Sequence, residues 1–281
     1  MKLSVEPASL ADIAGSLARR VGREIHRLRA AGVDVAATKS SLTDVVTAAD
    51  REAERLLTAG LTELRPDDGI LGEEGASIAG TTGITWVVDP IDGTVNYLYD
   101  LPSYAVSVAA TVTDGAPGTM SDGRRAIAGA VYVPVTDELF TASAGGGAYR
   151  NGVRLQGPAD TELATTLLGT GFGYTVERRT EQIEVLREVV PRVRDIRRMG
   201  SAATDLCLVA AGALDAFYER GLQPWDYAAG ALVAREAGVD VRGLGTNAPG
   251  EEMLIAGTPA IAAELAQLIA GTYGRLEAPR D

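Results

Sequence analysis

A chain of 281 residues, 46% of them apolar, is long enough for one large folding unit with a substantial core. Its net charge of −12 disfavours nucleic acid as the main partner, because binding a polyphosphate needs a basic surface, but it allows a small anionic substrate where bound cations reverse the local sign. A single histidine and a single cysteine exclude a His-rich zinc site and an internal disulfide framework, and they speak against a Ser-His-Asp triad. A hydrolase built from this sequence has to work with carboxylates, which favour Mg, Mn or Ca.

The opening MKLSVEPASLADIAGSLARR lacks the apolar block and cleavage site of a secretory signal. No apolar run reaches the roughly 18 residues needed to span a membrane. With one cysteine, the chain is expected in a reducing cytoplasm. Apolar periodicity predicts an amphipathic helix over residues 9–31, with His26 on its surface among Arg23, Arg27 and Arg29. A second helix is expected over 47–64, and then ILGEEG (70–75) reads as a short apolar strand running into Glu73. In WVVDPIDGTVN (86–96) an apolar strand ends at Asp89, Pro90 is expected to stop sheet pairing, and Asp92 and Gly93 turn the chain.

Further strands are expected at 104–112, 126–134, 138–144, 165–170, 215–219 and 253–257, and helices at 177–189, 201–212, 227–237 and 259–270. The polar, Gly-rich segment 113–125 reads as an exposed hairpin connection. The glycines at 145–147 read as a tight turn, and RVRDIRR (192–198) as an edge or interface strand in which Arg197 could form ion pairs across a dimer face. Cys207 belongs to an apolar helix and to the core. GTGFG (169–173) lacks the helix register and acidic residue of a dinucleotide fingerprint, so no phosphate-loop role is expected for it. The mixture predicts a layered α/β structure with two lobes divided softly near 157–165.

Alone, the acidic stretches are ordinary: a solvated Glu pair, an Asp-Pro-Gly turn, and Asp226 as the N-cap of an Ala-rich helix. Together they offer an oxygen-rich site. Asp89 leaves a buried strand, where an unpartnered carboxylate is costly. Asp92 can point into the same space, the Ile91 carbonyl lies between them, and Glu73 and Asp226 can complete a site for two or three divalent ions. Gly93 permits close backbone approach to phosphate, and the Thr94 hydroxyl can orient a water molecule.

These motifs resemble the inositol monophosphatase family of lithium-sensitive, Mg-dependent phosphatases, and bacterial, especially actinobacterial, members most. The resemblance rests on KSSLTDVVTAAD (39–50), GEEG (72–75), WVVDPIDGTVNY (86–97), LLGTGFGY (167–174), MGSAATDLCLVAAGALDAFYE (199–219) and WDYAAGALVAREAG (225–238), in the family's order. It implies a mixed α/β, layered αβαβα sandwich (the sugar phosphatase fold) over 1–281 as a single unit, usually a homodimer, that hydrolyses a phosphorylated polyol with Mg2+. Carried over residue by residue, Glu73, Asp89 and the Ile91 carbonyl would bind one Mg2+, Asp89, Asp92 and Asp226 a second, and Glu73 would help hold a third through water. Thr94 paired with Asp50, together with Glu73, would be catalytic. Asp92, Gly93, Thr94, Ala202 and Glu219 would contact substrate, with Gly200 and Ser201 shaping that wall, and Lys39 would lie on the loop that covers the metals. Tyr97 stands where the family more often has phenylalanine, and the loop at 174–181 differs from animal members. Myo-inositol monophosphate is the substrate this favours. Fructose 1,6-bisphosphate, histidinol phosphate and 3′-phosphoadenosine 5′-phosphate are alternatives, as is a regulatory role in transcription complexes.

Overall fold

The computed structural model describes residues 6–30, 32, 35–38 and 45–277. Lys39 lies outside the described residues. Helix α1 (Pro7–Ala30) is followed by a two-stranded ribbon, β1 (Val35–Thr38) with β2 (Val45–Thr47), and by α2 (Ala48–Leu64). Then come β3 (Gly69–Gly72), β4 (Ser77–Ile78), β5 (Thr85–Asp92), the short helix α3 (Thr94–Leu98), β6 (Ala105–Val112), β7 (Arg125–Val133), β8 (Glu138–Ser143), β9 (Gly147–Arg150) and β10 (Val153–Arg154). These strands form one sheet in the order β10-β9-β8-β7-β6-β5-β3-β4, antiparallel except where β3 runs parallel to β5. The chain then changes sheets between Arg154 and Leu167. The second sheet holds β11 (Leu167–Thr170), β12 (Asp195–Arg197), β13 (Ala216–Glu219), β14 (Asp240–Arg242) and β15 (Leu254–Gly257), in the order β12-β11-β13-β15-β14. Its helices are α4 (Val176–Val189), α5 (Ala202–Ala210), α6 (Pro224–Glu236) and α7 (Pro259–Glu277).

Side-chain alternation stacks these elements into five layers. In β5, Trp86 and Val88 face α1 and α2, meeting Leu17, Val21 and Leu57, while Val87 faces the other way. In β13, Phe217 turns inward with Val87, whereas Ala216 and Tyr218 meet Val185 of α4 and Leu265 of α7. The middle layer is α5 and α6, squeezed between the two sheets. Their Ala202, Ala203, Ala228, Ala229, Ala231 and Ala234 are all buried and small enough for the sheets to close on them. The result is the αβαβα sandwich that the resemblance implies, and the active-site residues described below lie where the middle layer meets the ends of both sheets.

Most elements fall where periodicity puts them. His26 is exposed, with Nδ1 3.0 Å from the Tyr104 hydroxyl, and Cys207 is fully buried. The 113–125 segment does join two antiparallel neighbours, β6 and β7. β12 is an edge strand, but Arg197 already pairs with Asp195 of the same chain at 2.7 Å. Two expectations need correction. Pro90 does not end the strand: pairing with β6 resumes at Asp92 opposite Ala105, because a one-residue bulge absorbs the proline's missing donor. Asp226 is not an N-cap: α6 begins three residues earlier, Gln223 is the cap, and Asp226 at the third helical position accepts the Gln223 N–H at 2.7 Å.

Below the site, Asp68 ties β5 to the α2–β3 turn. It is 3% exposed and accepts from Arg65 Nε at 2.8 Å, Trp86 Nε1 at 2.9 Å and Thr82 Oγ1 at 2.5 Å. Burial alone would raise its pKa, but these hydrogen bonds outweigh burial and hold it below the usual 3.8. A depressed carboxylate pKa means that the unfolded chain binds more protons, so this contribution is present above about pH 3.8 and is lost as pH falls through the folded value. Asp68→Asn is therefore expected to lower Tm at pH 7, by an amount equivalent to about 1–3 kcal/mol, and to lose less stability than wild type on acidification. Thermal melts of both proteins between pH 7 and pH 2.5 test this.

Candidate active site

The site grows from the C-terminal ends of β3 and β5. Parallel pairing of Gly72 with Val88 sets Glu73 beside Asp89, and the Glu73 N–H donates to the Val88 carbonyl at 3.3 Å. In a regular strand, residues 89 and 92 would point to opposite faces, since their separation is odd. The bulge between Asp89 and Asp92 supplies the extra residue that brings Asp92 round to the inner face. Ile91 correspondingly packs with the α1–α2 layer. Asp89 Oδ1 accepts the Ile91 N–H at 3.0 Å and braces the bulge. Gly93 then adopts φ 98° as the N-cap of α3, a conformation that suits glycine. A β-carbon there would also lie 2.8 Å from the Ser103 carbonyl oxygen.

Asp92 is held from across the molecule. Its Oδ2 accepts from Ser201 Oγ and the Ala203 N–H, each at 2.7 Å, at the start of α5. Thr94 Oγ1 lies 3.1 Å from Asp50 Oδ1 and 3.1 Å from the Ile91 carbonyl oxygen. One hydroxyl hydrogen cannot serve both, so donation to Asp50 leaves the Ile91 carbonyl free to act as a ligand. Asp50 is fully buried at the third position of α2, where its Oδ2 accepts from the Thr47 N–H at 2.8 Å and Thr47 Oγ1 at 2.5 Å. Burial pushes Asp50 up to about 6 against the pull of the Thr47 hydrogen bonds.

Glu73, Asp89, Ile91, Asp92, Gly93, Thr94, Ala202, Glu219 and Asp226 all line one cavity of about 480 Å3. Asp50 does not line it and stands behind Thr94, and Ser201, expected in the substrate wall, does not line it either and instead holds Asp92. Burial raises the pKa of Asp89 and Asp226 well above the ordinary range, and the neighbouring carboxylates add to the effect. Burial likewise takes Asp92 to about 7, although Ser201 and Ala203 oppose it. Glu219 is pushed to about 8 by burial, while Arg198 draws it down.

Four carboxylates and a backbone carbonyl are gathered here, the donor set that suits Mg2+. Among the described residues no three acidic, His or Cys side chains stand close enough together to hold an ion as they are. The mutual repulsion of the carboxylates, which adds to the burial that raises the Asp89 and Asp226 pKa values, would be offset by a cation bound between them.

The cavity also includes residues that sequence reasoning passed over, among them Phe172, Arg178, Arg198 and Trp225. The Gly-rich run 169–173 is no phosphate loop, but its end forms wall, and Gly171 lies against the Glu219 carboxylate closely enough that a β-carbon would collide with it. Because that carboxylate is the free end of a side chain, Gly171→Ala should displace it without unfolding the chain. If Glu219 meets substrate as the resemblance implies, KM for a polyol phosphate should rise about threefold to tenfold, the equivalent of one lost hydrogen bond, with Tm nearly unchanged. Steady-state kinetics beside a thermal melt test this.

The model of the inositol monophosphatase family matches residues 6–276. An inositol-1-monophosphatase from Mycobacterium bovis is 45% identical over 279 residues, covering 92% of this chain and 93% of the relative. The Nus factor SuhB of Escherichia coli is 39% identical, covering 81% and 82% respectively. Among solved structures, the extragenic suppressor protein suhB from Bartonella henselae superposes with a TM-score of 0.84 at 35% identity, covering 93% of this chain and 98% of that one.

Proposed function

We propose a function from the premise that this chain belongs to the inositol monophosphatase family: it is a phosphomonoesterase that hydrolyses myo-inositol monophosphate to inositol and phosphate with Mg2+. The observation that carries this reading is the convergence of Glu73, Asp89, Asp92 and Asp226 on one cavity beside the Gly93–Thr94 turn. Glu73, Asp89 and the Ile91 carbonyl would hold one ion, and Asp89, Asp92 and Asp226 a second, with Glu73 reaching a third through water. Bound there, divalent cations supply the positive charge that activates water and stabilises the charge developing in phosphoryl transfer.

The chain's own groups orient the reactants. Asp50, fixed by Thr47, accepts a hydrogen bond from the Thr94 hydroxyl, which would leave a Thr94 lone pair to orient the attacking water. The N–H groups of Gly93 and Thr94 would contact the phosphate. Glu219 would accept from the polyol hydroxyls, and the small Ala202 leaves room for the ring. No histidine is needed at any step.

A panel of kcat/KM values with Mg2+ for myo-inositol 1-phosphate, fructose 1,6-bisphosphate, histidinol phosphate and 3′-phosphoadenosine 5′-phosphate tests the substrate assignment. The inositol ester should be used well, and a preference of about tenfold or more for the adenosine compound, some 1.4 kcal/mol, would overturn the assignment.

The chain is also proposed to be a cytoplasmic homodimer inhibited by Li+. No helix among the described residues is long and apolar enough to cross a membrane. Exposed Tyr99 and Leu101, 72% and 51% accessible, offer apolar surface to a second copy. The E. coli relative's name favours one further reading, association with transcription complexes. Asp226→Asn separates the two: a cellular phenotype that survives complete loss of turnover would assign the cellular role to association, not catalysis.

A further inference from the structure

Part of the cavity wall is made where two strands of the second sheet end. β11 and β13 run parallel, and their ladder stops at Thr170 opposite Tyr218. Past that rung both segments enter the wall, one at 171–175 and the other at 219–223, and sheet hydrogen bonds no longer set the distance between them. The distance matters because Gly171 on the first segment lies against the Glu219 carboxylate on the second, where a β-carbon would collide with it.

Gln182 supplies a further rung. It stands on α4, is 6% exposed and does not itself line the cavity. Its Oε1 accepts the Gly173 N–H at 2.8 Å, and its Nε2 donates to the Arg220 carbonyl at 3.2 Å. A backbone N–H only donates and a carbonyl only accepts, so these partners fix which end of the amide is which. One primary amide thus ties the two segments together as a peptide group does within a ladder.

Other α4 residues hold the same segments, but less directly. Arg179 Nε donates to the Gly173 carbonyl at 2.8 Å and touches only the first segment. Glu181 pairs with the Arg220 side chain at 2.9 Å, but Glu181 is 45% accessible, so that pair is screened and fixes a flexible side-chain end. Gln182 is buried and grips backbone on both sides, where an unmatched N–H or carbonyl is costly.

We propose that Gln182 is a positioning residue for substrate: by bridging Gly173 to Arg220 it fixes the gap between the two wall segments and the direction of the Glu219 carboxylate, and so sets affinity for the polyol without touching it. This rests on the preceding reading, which gives Glu219 the polyol hydroxyls.

Gln182→Leu removes both hydrogen bonds, and the near-isosteric Gln182→Glu keeps the first while turning a carboxylate oxygen onto the Arg220 carbonyl. In steady-state hydrolysis of myo-inositol 1-phosphate with Mg2+, both variants should raise KM about tenfold, the scale of one hydrogen bond to a charged group, with kcat changed by less than about twofold. The Mg2+ concentration that gives half-maximal rate should stay where it is in wild type. Each variant is then combined with Glu219→Ala, in which the effect of changing Gln182 should shrink to less than about twofold, because the two residues act in series. A tenfold effect that persists without Glu219 overturns the proposal, and so does an unchanged KM in both single variants. Loss of kcat and of Mg2+ response together with affinity would mark general loosening and overturn it too. Should Gln182→Leu fail to fold, the Glu variant decides alone. A Glu219→Ala single variant with wild-type KM, or a wild type that hydrolyses no phosphomonoester, would instead sink the preceding reading.

Discussion

Asp89→Asn is expected to cut Mg2+-dependent turnover by about a thousandfold or more, roughly 4 kcal/mol of barrier, while raising the Tm of the metal-free protein. The two effects share a cause. Asp89 is 1% exposed and faces Glu73, Asp92 and Asp226, and burial followed by those neighbours lifts its pKa well above 3.8. With the folded pKa raised, the metal-free fold binds a proton that the unfolded chain has released, so stability declines as pH rises from about 3.8 toward the folded value. Asparagine removes that decline, and its side-chain oxygen can still accept the Ile91 N–H that braces the bulge. The same change removes a charge shared by both proposed ion positions, so Mg2+ should raise the variant's Tm much less than the wild type's. Thermal melts with and without Mg2+, beside phosphate-release kinetics, test both halves. Undiminished turnover, or a variant that melts several degrees below wild type without metal, would contradict the assignment.

Thr94→Ala should lower kcat by about a hundredfold to a thousandfold with KM little changed, because the hydroxyl acts on the water and not on the bound polyol. The variant also leaves Asp50 Oδ1 without its 3.1 Å donor in a fully buried position, so a stability loss of about 1–3 kcal/mol should accompany the kinetic one. Thr94→Ser keeps the oxygen and the hydrogen, and it should restore most of both. Recovery of stability with no recovery of kcat would show that the hydroxyl is only structural. A rise in KM with kcat preserved would move Thr94 from water orientation to substrate binding.

Several pieces of the site were legible because a single residue's chemistry dictates them. Apolar β5 running into Asp89, and Gly93 where the backbone needs φ 98°, are local facts, and local facts survive in sequence. The bulge between Asp89 and Asp92 was not legible. Pro90 signals lost pairing, but whether the partner strand resumes depends on Ala105, which arrives after a helix and a loop. The start of α6 is obscured in sequence because Gln223 is an unusual N-cap and Asp226 a better one, and Pro224 in the first turn is the signal that marks the true start. Arg178 and Arg198 could not be assigned to the site at all. They reach it from different elements of the second sheet's half, and only the packing of α4 and α5 against that sheet brings them to the same cavity.

Four carboxylates and the Ile91 carbonyl are proposed to form a magnesium site for phosphate ester hydrolysis. Phosphate release from myo-inositol 1-phosphate by chelator-treated protein, followed as Mg2+ is returned, tests it most directly. Activity should be absent without the ion, appear with Mg2+ in wild type, and fail to appear at any Mg2+ concentration in Asp89→Asn. Equal hydrolysis before and after Mg2+ addition would contradict it.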